Sequence, residues 1–358
     1  MASMKTSSCC LRTYSMMRHV HRISKLQDVY TPVRCVETAS QQPYQDRNSL
    51  HAPVFAEKEL LIEHIQKSVV YDDENILALN KPSGVPIKAL HGEGVPSMAD
   101  ILEDLRECFD TPELEYMLGL SRNQSGIILL SKHALAKVKL KRSLQGARSY
   151  QDINHEFVCV CLGEPKFKTE VEKVRYLRNN INGRQQAVLV PHFSRYMKKG
   201  LLSSFNVKAD VLATSPLETT PKVSLVGITC DSGKKECLEM YMAEHLSPIL
   251  GDHVYSHRVI TVAGVAVKND QNAAIRGPQV IPTEVKHKLN VPPGVHAHLV
   301  PLHLHRSGLI LKRFPHKKSE SFLIEAPLPE YFADTMVKLE LQPYDQDADE
   351  LNQEQYSE

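Results

Sequence analysis

The chain has 358 residues, of which 42% are hydrophobic and 24% are charged, a composition that is ordinary for a folded globular protein. It contains no apolar run of about 18 residues, so we expect no membrane-spanning helix. The formal net charge is only +1, with basic residues concentrated in the leader and acidic residues in the tail. A nucleic-acid partner would therefore have to be met by a local basic patch rather than by a basic protein.

The N-terminal stretch has the composition of a targeting segment. Residues 1–40 are rich in arginine and serine and contain no acidic residue before Asp28. Basic and apolar side chains are interspersed between Leu11 and Leu26, a pattern typical of the amphipathic leaders that direct proteins to mitochondria. A basic arm that binds RNA directly is the alternative. We predict a mitochondrial targeting segment over residues 1–40, with the matrix as its destination, and a linker over residues 41–56.

The next stretch alternates helical and strand patterns. Apolar residues at helical spacing predict a helix over residues 57–67, and residues 69–84 are typical of a strand that ends in an Asn-Lys-Pro-Ser-Gly turn. A capping-box pattern predicts a second helix over residues 97–106. A polar loop closed by Gly126 then leads into the apolar run 127–130, which predicts a buried strand. Catalytic residues are often found on loops in such positions.

A basic helix and several strands are predicted to follow. Residues 134–144 are helical in pattern, and the strand-like segments are 155–163, 205–212 and 222–229, whereas 166–200 is charged and without a clear pattern. The helix presents either a solvated face or a patch that neutralises RNA phosphates. The candidate RNA-binding residues are Lys137, Lys139, Lys141, Arg142 and, just beyond, Arg148.

The last part of the chain contains a second polar block, a histidine-rich segment and an acidic end. The block over residues 233–255 begins Gly-Lys-Lys-Glu-Cys and ends Gly-Asp-His-Val-Tyr. Four histidines alternate around Pro301, but no acidic or cysteine partner recurs with them, and the eight cysteines lack zinc spacing. We therefore predict no metal and no cofactor. Residues 325–332 and a short helix to Leu341 end the fold before an acidic, disordered tail over residues 342–358.

Taken together, these segments resemble the RluA family of RNA pseudouridine synthases, and its mitochondrial branch in particular. The match covers residues 57–341 and includes the Asn-Lys-Pro-x-Gly turn, the loop before the strand at 127–130, the 233–255 block and the Glu-Ala-Pro-Leu-Pro ending at 325–329. The resemblance implies an α+β fold with mixed, mainly antiparallel sheets in two halves around a central RNA-binding cleft. It also implies that RNA is the partner, mitochondrial mRNA or rRNA in particular.

The chain departs from the family pattern at the positions that carry the chemistry. The family loop is His-Arg-Leu-Asp-x-x-Thr-Ser-Gly, and its nucleophilic aspartate aligns with Ser121 and its threonine with Gln124. The family tyrosine that packs against the target base aligns with Phe157, which retains a stacking face but lacks the hydroxyl. The arginine that pairs with the aspartate aligns with Glu239. The polar Arg-Thr-His-Gln run is replaced at residues 234–237 as well.

Two hypotheses follow from these replacements. The first is a mitochondrial RNA-binding protein with impaired catalysis, which supports the maturation of mitochondrial mRNA or rRNA and ribosome function, with RNA-granule or ribosome-assembly proteins as further partners. A serine hydroxyl is a poor nucleophile without an activating base, and no histidine occupies a neighbouring motif position. The second is an active uridine isomerase that uses a displaced carboxylate, either Glu239 or Glu236. A carboxylate close to Ser121 would favour the second hypothesis, and an empty or apolar cleft floor would favour the first.

Overall fold

A computed structural model describes most of the predicted domain. The described residues are 52–89, 95–149, 153–181, 183–190, 202–233, 236–270, 277–291, 300–316 and 319–342, with the side chains of 147–149 excepted. The predicted targeting segment, residues 41–51 of the predicted linker and the predicted tail after residue 342 lie outside them. So do Lys234, Lys235, the side chain of Arg148 and two of the four alternating histidines.

Six α-helices lie in the described residues. The predicted helix over 57–67 is confirmed as α1 and that over 134–144 as α3. The capping box before α2 is formed, because the Ser97 N–H donates to an Asp100 carboxylate oxygen at 2.8 Å and the Asp100 N–H to Ser97 Oγ at 3.3 Å. No helix in this part of the chain is both long enough and apolar enough to cross a bilayer. The bounds are α1 Lys58–Lys67, α2 Leu102–Cys108, α3 Ala134–Ser149, α4 Cys237–Glu244, α5 Thr283–Lys288 and α6 Glu330–Lys338.

Thirteen strands lie in the described residues, and eleven of them form one sheet. The other two, β10 and β11, form a separate hairpin. The bounds are β1 Val69–Asp72, β2 Ile76–Lys81, β3 Glu115–Leu118, β4 Ser125–Ser131, β5 His155–Leu162, β6 Glu172–Ile181, β7 Arg184–Leu189, β8 Ser203–Thr214, β9 Val223–Cys230, β10 Val259–Val262, β11 Val265–Lys268, β12 Leu304–Leu311 and β13 Phe322–Glu325.

The order of the strands confirms the expected α+β architecture. The sheet runs β1-β2-β4-β12-β5-β9-β8-β6-β7, with β3 paired to β4 and β13 paired to β12. Every pairing is antiparallel except that between β4 and β12. The strands before α3, β1 to β4, are therefore joined to the later strands in one continuous sheet. The short parallel pairing of β4 with β12 is the join between these two halves.

Side-chain alternation divides the sheet into two packed faces. On β5, Phe157 and Cys159 point into a core that includes residues of α1, α2 and α4, whereas Val158 and Val160 point into a core with α5 and α6. On β4, Ile128 belongs to the first core, and its neighbours on either side along the strand pack with α3. We call the first side the Phe157 face and the second side the opposite face.

One expectation about the elements is wrong. In the described part of this segment, up to residue 190, the chain is not irregular, because β6 and β7 form a hairpin that extends the sheet through β8. On β6, Val174 and Tyr176 are buried while Lys173 and Arg175 are exposed. This alternation is the usual signal of a half-buried strand. The high charge of the segment obscured it.

Candidate functional site

The loop before β4 lies where the two halves of the sheet meet. β4 and β12 pair at His305 with Ser125 and at Arg306 with Gly126. Gly126 has a φ of +113°, and a Cβ atom there would lie 2.3 Å from the Arg306 carbonyl oxygen. Because no real Cβ atom approaches a backbone oxygen so closely, glycine is required for the two strands to meet. Gly126 is the second residue of β4, and its positive φ and this close approach are two separate reasons for a glycine there.

The Asn-Lys-Pro-Ser-Gly turn at residues 80–84 is hydrogen-bonded to the backbone of this loop. Lys81 is fully buried, and its Nζ donates to three carbonyl oxygens, including that of Arg122 at 3.2 Å. Gly84 and Arg122 exchange two further hydrogen bonds, and Ser83 Oγ donates to the carbonyl of Asn123 at 2.7 Å. Burial lowers the pKa of Lys81 to about 7. The turn therefore fixes the backbone of the loop that carries Ser121.

A polar chain joins three of the positions that differ from the family pattern. The backbone N–H of Ser121 donates to Gln124 Oε1 at 3.3 Å, and Gln124 Nε2 donates to Glu239 Oε1 at 3.0 Å. Ser121 is half-buried, whereas Gln124 and Glu239 are buried. Ser121 and Glu239, which are distant in the sequence, are thus separated in space by a single glutamine side chain.

Glu239 is a buried carboxyl group in an acidic environment. Burial raises its pKa to about 8, and the nearby carboxyl groups of Asp252 and Glu236 contribute to this rise. Among the described residues, its second oxygen, Oε2, has no hydrogen-bond partner. At neutral pH the protonated form therefore predominates, and a protonated carboxyl group is a weak nucleophile.

The neighbouring carboxyl groups are held by other contacts. Glu236 accepts hydrogen bonds from the Tyr255 hydroxyl at 3.0 Å and from Arg184 at 3.1 Å. Asp252 accepts two backbone N–H groups at 2.9 Å, one of them from Tyr255, while burial raises its pKa to about 6. No group of three His, Cys, Asp or Glu residues in the described part of the chain is arranged to hold a metal ion.

Phe157 lies beneath a buried arginine. The side chain of Arg306, on β12, places its Cζ 5.1 Å from the centre of the Phe157 ring, and both residues are almost completely inaccessible, at 0% and 1% exposure. Arg306 Nη1 donates to the Ile127 carbonyl at 2.9 Å, with a longer contact to that of Gly119 at 3.4 Å. Its Nε and Nη2 have no partner among the described residues. Burial lowers the pKa of Arg306 to about 10, so it remains charged at neutral pH.

The basic helix lies on the other side of the sheet from this site. Leu140 of α3 packs with Ile127 and Leu129, which point to the opposite face. Lys137 pairs with Glu115 at 2.6 Å. The cluster of Lys137, Lys139, Lys141 and Arg142 therefore lies on the side of the sheet away from Phe157, and its contact with RNA stays a prediction.

The histidines near the end of the chain have structural partners. His303 contacts the Pro301 carbonyl at 2.8 Å and Thr335 Oγ1 at 2.9 Å, and His305 contacts Ser125 Oγ at 2.9 Å. Burial lowers the pKa of His303 to about 4, so this imidazole is neutral at pH 7. These contacts join β12 to α6 and to the start of β4.

Comparison with known proteins shows which proteins this chain resembles in sequence and in fold. No family model matches the chain. It is 26% identical over 320 residues to the pseudouridylate synthase RPUSD4, mitochondrial, of Danio rerio, covering 83% of this chain and 78% of that protein. It is 29% identical over 290 residues to the human mitochondrial mRNA pseudouridine synthase RPUSD3, covering 78% of each. The solved structure of human RNA pseudouridylate synthase domain containing 4 superposes with a TM-score of 0.57 at 20% identity, over 78% of this chain and 96% of that one.

The chain is thus similar in sequence to mitochondrial pseudouridylate synthases and has the pseudouridine synthase fold. Within this pseudouridine synthase fold, the structure brings Ser121, Gln124 and Glu239 together, as the aligned motifs implied, and places Phe157 on the same face of the sheet. Arg306 was missed by the sequence analysis. The only signal for it was a lone arginine within the otherwise largely apolar stretch that forms β12. We call Ser121, Gln124, Phe157, Glu239 and Arg306 the junction site.

Proposed function

We propose that this protein is a mitochondrial RNA-binding relative of the RluA-type synthases in which aspartate-dependent isomerisation of uridine is impaired. Its role would be to support the maturation of mitochondrial mRNA or rRNA and the function of the ribosome. The named relatives support the RNA substrate and the mitochondrion, since one is called a mitochondrial mRNA pseudouridine synthase and another a mitochondrial pseudouridylate synthase. RNA-granule or ribosome-assembly proteins are the proposed protein partners.

The hydrogen-bonded chain from Ser121 through Gln124 to Glu239 is the observation that carries this proposal. Nucleophilic catalysis by a carboxylate requires an ionised group held against a cation. At this place the chain has a neutral hydroxyl, an amide and a carboxyl group whose pKa is raised to about 8. The charged guanidinium of Arg306 instead stacks on Phe157 and donates to backbone carbonyl groups. No carboxylate stands at position 121 to be held against a cation, and this supports the proposal of impaired catalysis.

An active synthase with a displaced carboxylate is the second candidate. One observation favours it, because Glu239 is linked to Ser121 through a single glutamine. The protonation of Glu239 at neutral pH counts against that residue, whereas Glu236, which accepts hydrogen bonds from Tyr255 and Arg184, is a carboxyl group held against a cation. An active Glu239 would have to lose its proton, which predicts a rate that rises as the pH approaches 8.

Pseudouridine mapping tests the two candidates against each other. Mitochondrial RNA is mapped from cells with and without the protein, and cells without it are rescued by the wild type, Ser121→Ala, Glu239→Gln or Glu236→Gln. Impaired RNA maturation without loss of any pseudouridine supports the proposal. A pseudouridine that disappears with the protein and returns with the wild type and Ser121→Ala, but not with one of the glutamine variants, establishes the displaced carboxylate instead.

We further propose residues 1–40 as the targeting segment, residues 41–56 as a linker, residues 57–341 as the synthase-like domain and residues 342–358 as an acidic tail. A fusion of residues 1–40 to a reporter should be imported into the mitochondrial matrix. The control is the same fusion with Arg12, Arg18, Arg22 and Lys25 changed to glutamine, which should remain outside. A cytosolic or nuclear wild-type fusion would contradict the targeting proposal and favour the RNA-binding arm.

A further inference from the structure

An aromatic ring on the floor of an RNA-binding site is normally a surface for a base. Unstacked bases of single-stranded RNA are held against phenylalanine, tyrosine or arginine planes. At the junction site the only such surface among its five residues is the Phe157 ring with the Arg306 guanidinium over it. Neither is accessible, at 1% and 0% exposure. A base that approached along this face would therefore find neither the Phe157 ring nor the Arg306 guanidinium accessible for stacking.

The space for the guanidinium is shaped by its surroundings. A Cβ atom on Gly233 would lie 2.3 Å from Arg306 Nη2 and 3.1 Å from Phe157 Cζ, so this glycine leaves the room that the arginine fills. On the other side, Arg306 Nη1 is anchored to the Ile127 carbonyl at 2.9 Å. The guanidinium therefore lies between β4, the Phe157 ring on β5 and the backbone of Gly233.

This placement is costly, which makes it informative. A buried guanidinium normally pairs with a carboxylate, and burial without such a pair is strongly unfavourable. Two of the donor nitrogens of Arg306, Nε and Nη2, have no hydrogen-bond partner in the described residues. An apolar side chain would fill the same space at lower cost. An arginine rather than an apolar side chain fills the space over the Phe157 ring, so its position bears on what the site can admit.

We propose that Arg306 is the specificity-determining residue of the junction site, because its guanidinium covers the Phe157 ring and excludes a nucleobase from it. The protein then holds RNA by the backbone and leaves its bases stacked, which separates it from enzymes that take a base out of the stack to react with it. This inference rests on the proposed RNA-binding function.

The test uses the full chain and a single-stranded RNA in which a fluorescent uridine analogue lies between purines. Emission of the analogue rises when its base leaves the stack, and anisotropy of an end label reports affinity separately. The wild type should bind with unchanged emission at saturation. Arg306→Ala removes the guanidinium from the space over the ring, which a base can then enter, and should raise the emission severalfold. Arg306→Met, which still covers the ring but has no charge, should behave as the wild type.

Two outcomes would overturn the inference. One is raised emission with the wild type at saturation, and the other is an Arg306→Ala variant that binds without raising it. Arg306→Val is measured in parallel and, like Arg306→Ala, should raise the emission. The test then remains decisive if the alanine variant does not fold. If the wild type shows no RNA binding by anisotropy, it is the proposed function that fails, and this result is distinguishable from the other two.

Discussion

The carboxyl group of Glu239 gives the protein a pH-dependent stability whose sign is fixed by its burial. Its pKa is raised from 4.5 to about 8, so the folded chain retains the proton while the unfolded chain releases it between these values. Stability therefore falls as the pH rises through this window, by up to about 1.4 kcal/mol per pH unit. Below about pH 4.5 both states are protonated and Glu239 contributes no slope.

Glu239→Gln should remove this dependence. The amide retains the acceptor for Gln124 and cannot ionise, so the variant should match the wild type near pH 5 and exceed it at pH 8 by on the order of 2–4 kcal/mol. Urea unfolding at a series of pH values measures the difference. Glu284→Gln, an exposed position in α5, is the matched control and should leave the profile unchanged. Parallel profiles for Glu239→Gln and the wild type would contradict the burial argument.

The pair of Ser121 and Glu239 offers a second prediction at the same scale. Ser121→Asp alone places a carboxylate near another carboxyl group, and Glu239→Arg alone forces a larger, charged side chain into the space of a buried carboxyl group, so each should destabilise the fold. Together they restore opposite charges on the two sides of Gln124. The double-mutant cycle should show a coupling of roughly 1–3 kcal/mol. Unfolding free energies of the four proteins measure it, and additive values would show that the two positions do not interact.

At the level of elements, the meeting of β4 and β12 depends on Gly126. Gly126→Ala forces a side chain into a φ of +113° and against the backbone of Arg306, so we expect a loss of about 3 kcal/mol or more. Gly119→Ala in the same loop is the matched control. Its Cβ would meet the Ile87 side chain at 3.1 Å, which can move, and the expected cost is about 1 kcal/mol or less. Equal losses in thermal or urea unfolding would contradict the close approach of the two strands.

The elements were predictable where one periodicity dominates the sequence. The helix before β1, the strands β4, β5, β8 and β9, and the capping box of α2 follow from local spacing alone. The β6–β7 hairpin has the same alternation, at Val174 and Tyr176, but was missed because charged side chains fill the exposed positions between them. Local pattern thus identifies an element more readily than composition does.

The junction site was only partly predictable for a different reason. The proximity of Ser121 and Glu239 was inferred from aligned motifs, because no spacing rule connects residues so far apart. The contact of Arg306 with Phe157 depends on the order of strands in the sheet, which places β12 between β4 and β5. The side of the sheet on which α3 packs depends on the same order. Sequence periodicity identifies the buried side of each strand, but not which strands become neighbours.

For the whole molecule, the two faces of the sheet present different surfaces to RNA. The Phe157 face has the junction site, where the described carboxyl groups of Glu236, Glu239 and Asp252 lie close together. The opposite face has α3, with Lys141 and Arg142 exposed. RNA affinity depends mainly on the neutralisation of phosphates. We therefore expect a single-stranded RNA that is bound through its phosphate backbone to contact α3 as well as the loop that carries Ser121.

This prediction is tested by removing charge from α3 alone. Lys139, Lys141 and Arg142 are changed together to glutamine, while Lys137 is retained because it pairs with Glu115. For every phosphate that the variant no longer neutralises, the slope of log affinity against log salt should become shallower by about 0.7 for a single strand. The affinity itself should fall most at low salt, where the release of counterions contributes most to binding.

The matched control removes the same number of charges at Lys173 on β6, Lys286 on α5 and Lys338 on α6, and should change the slope much less. Lys288 is retained because it pairs with Glu340. Because the α3 substitutions lie across the sheet from the junction site, they should leave the emission of a base analogue in the bound RNA unchanged. An α3 variant with the affinity and salt slope of the control would show that its basic side chains form only a solvated helix face.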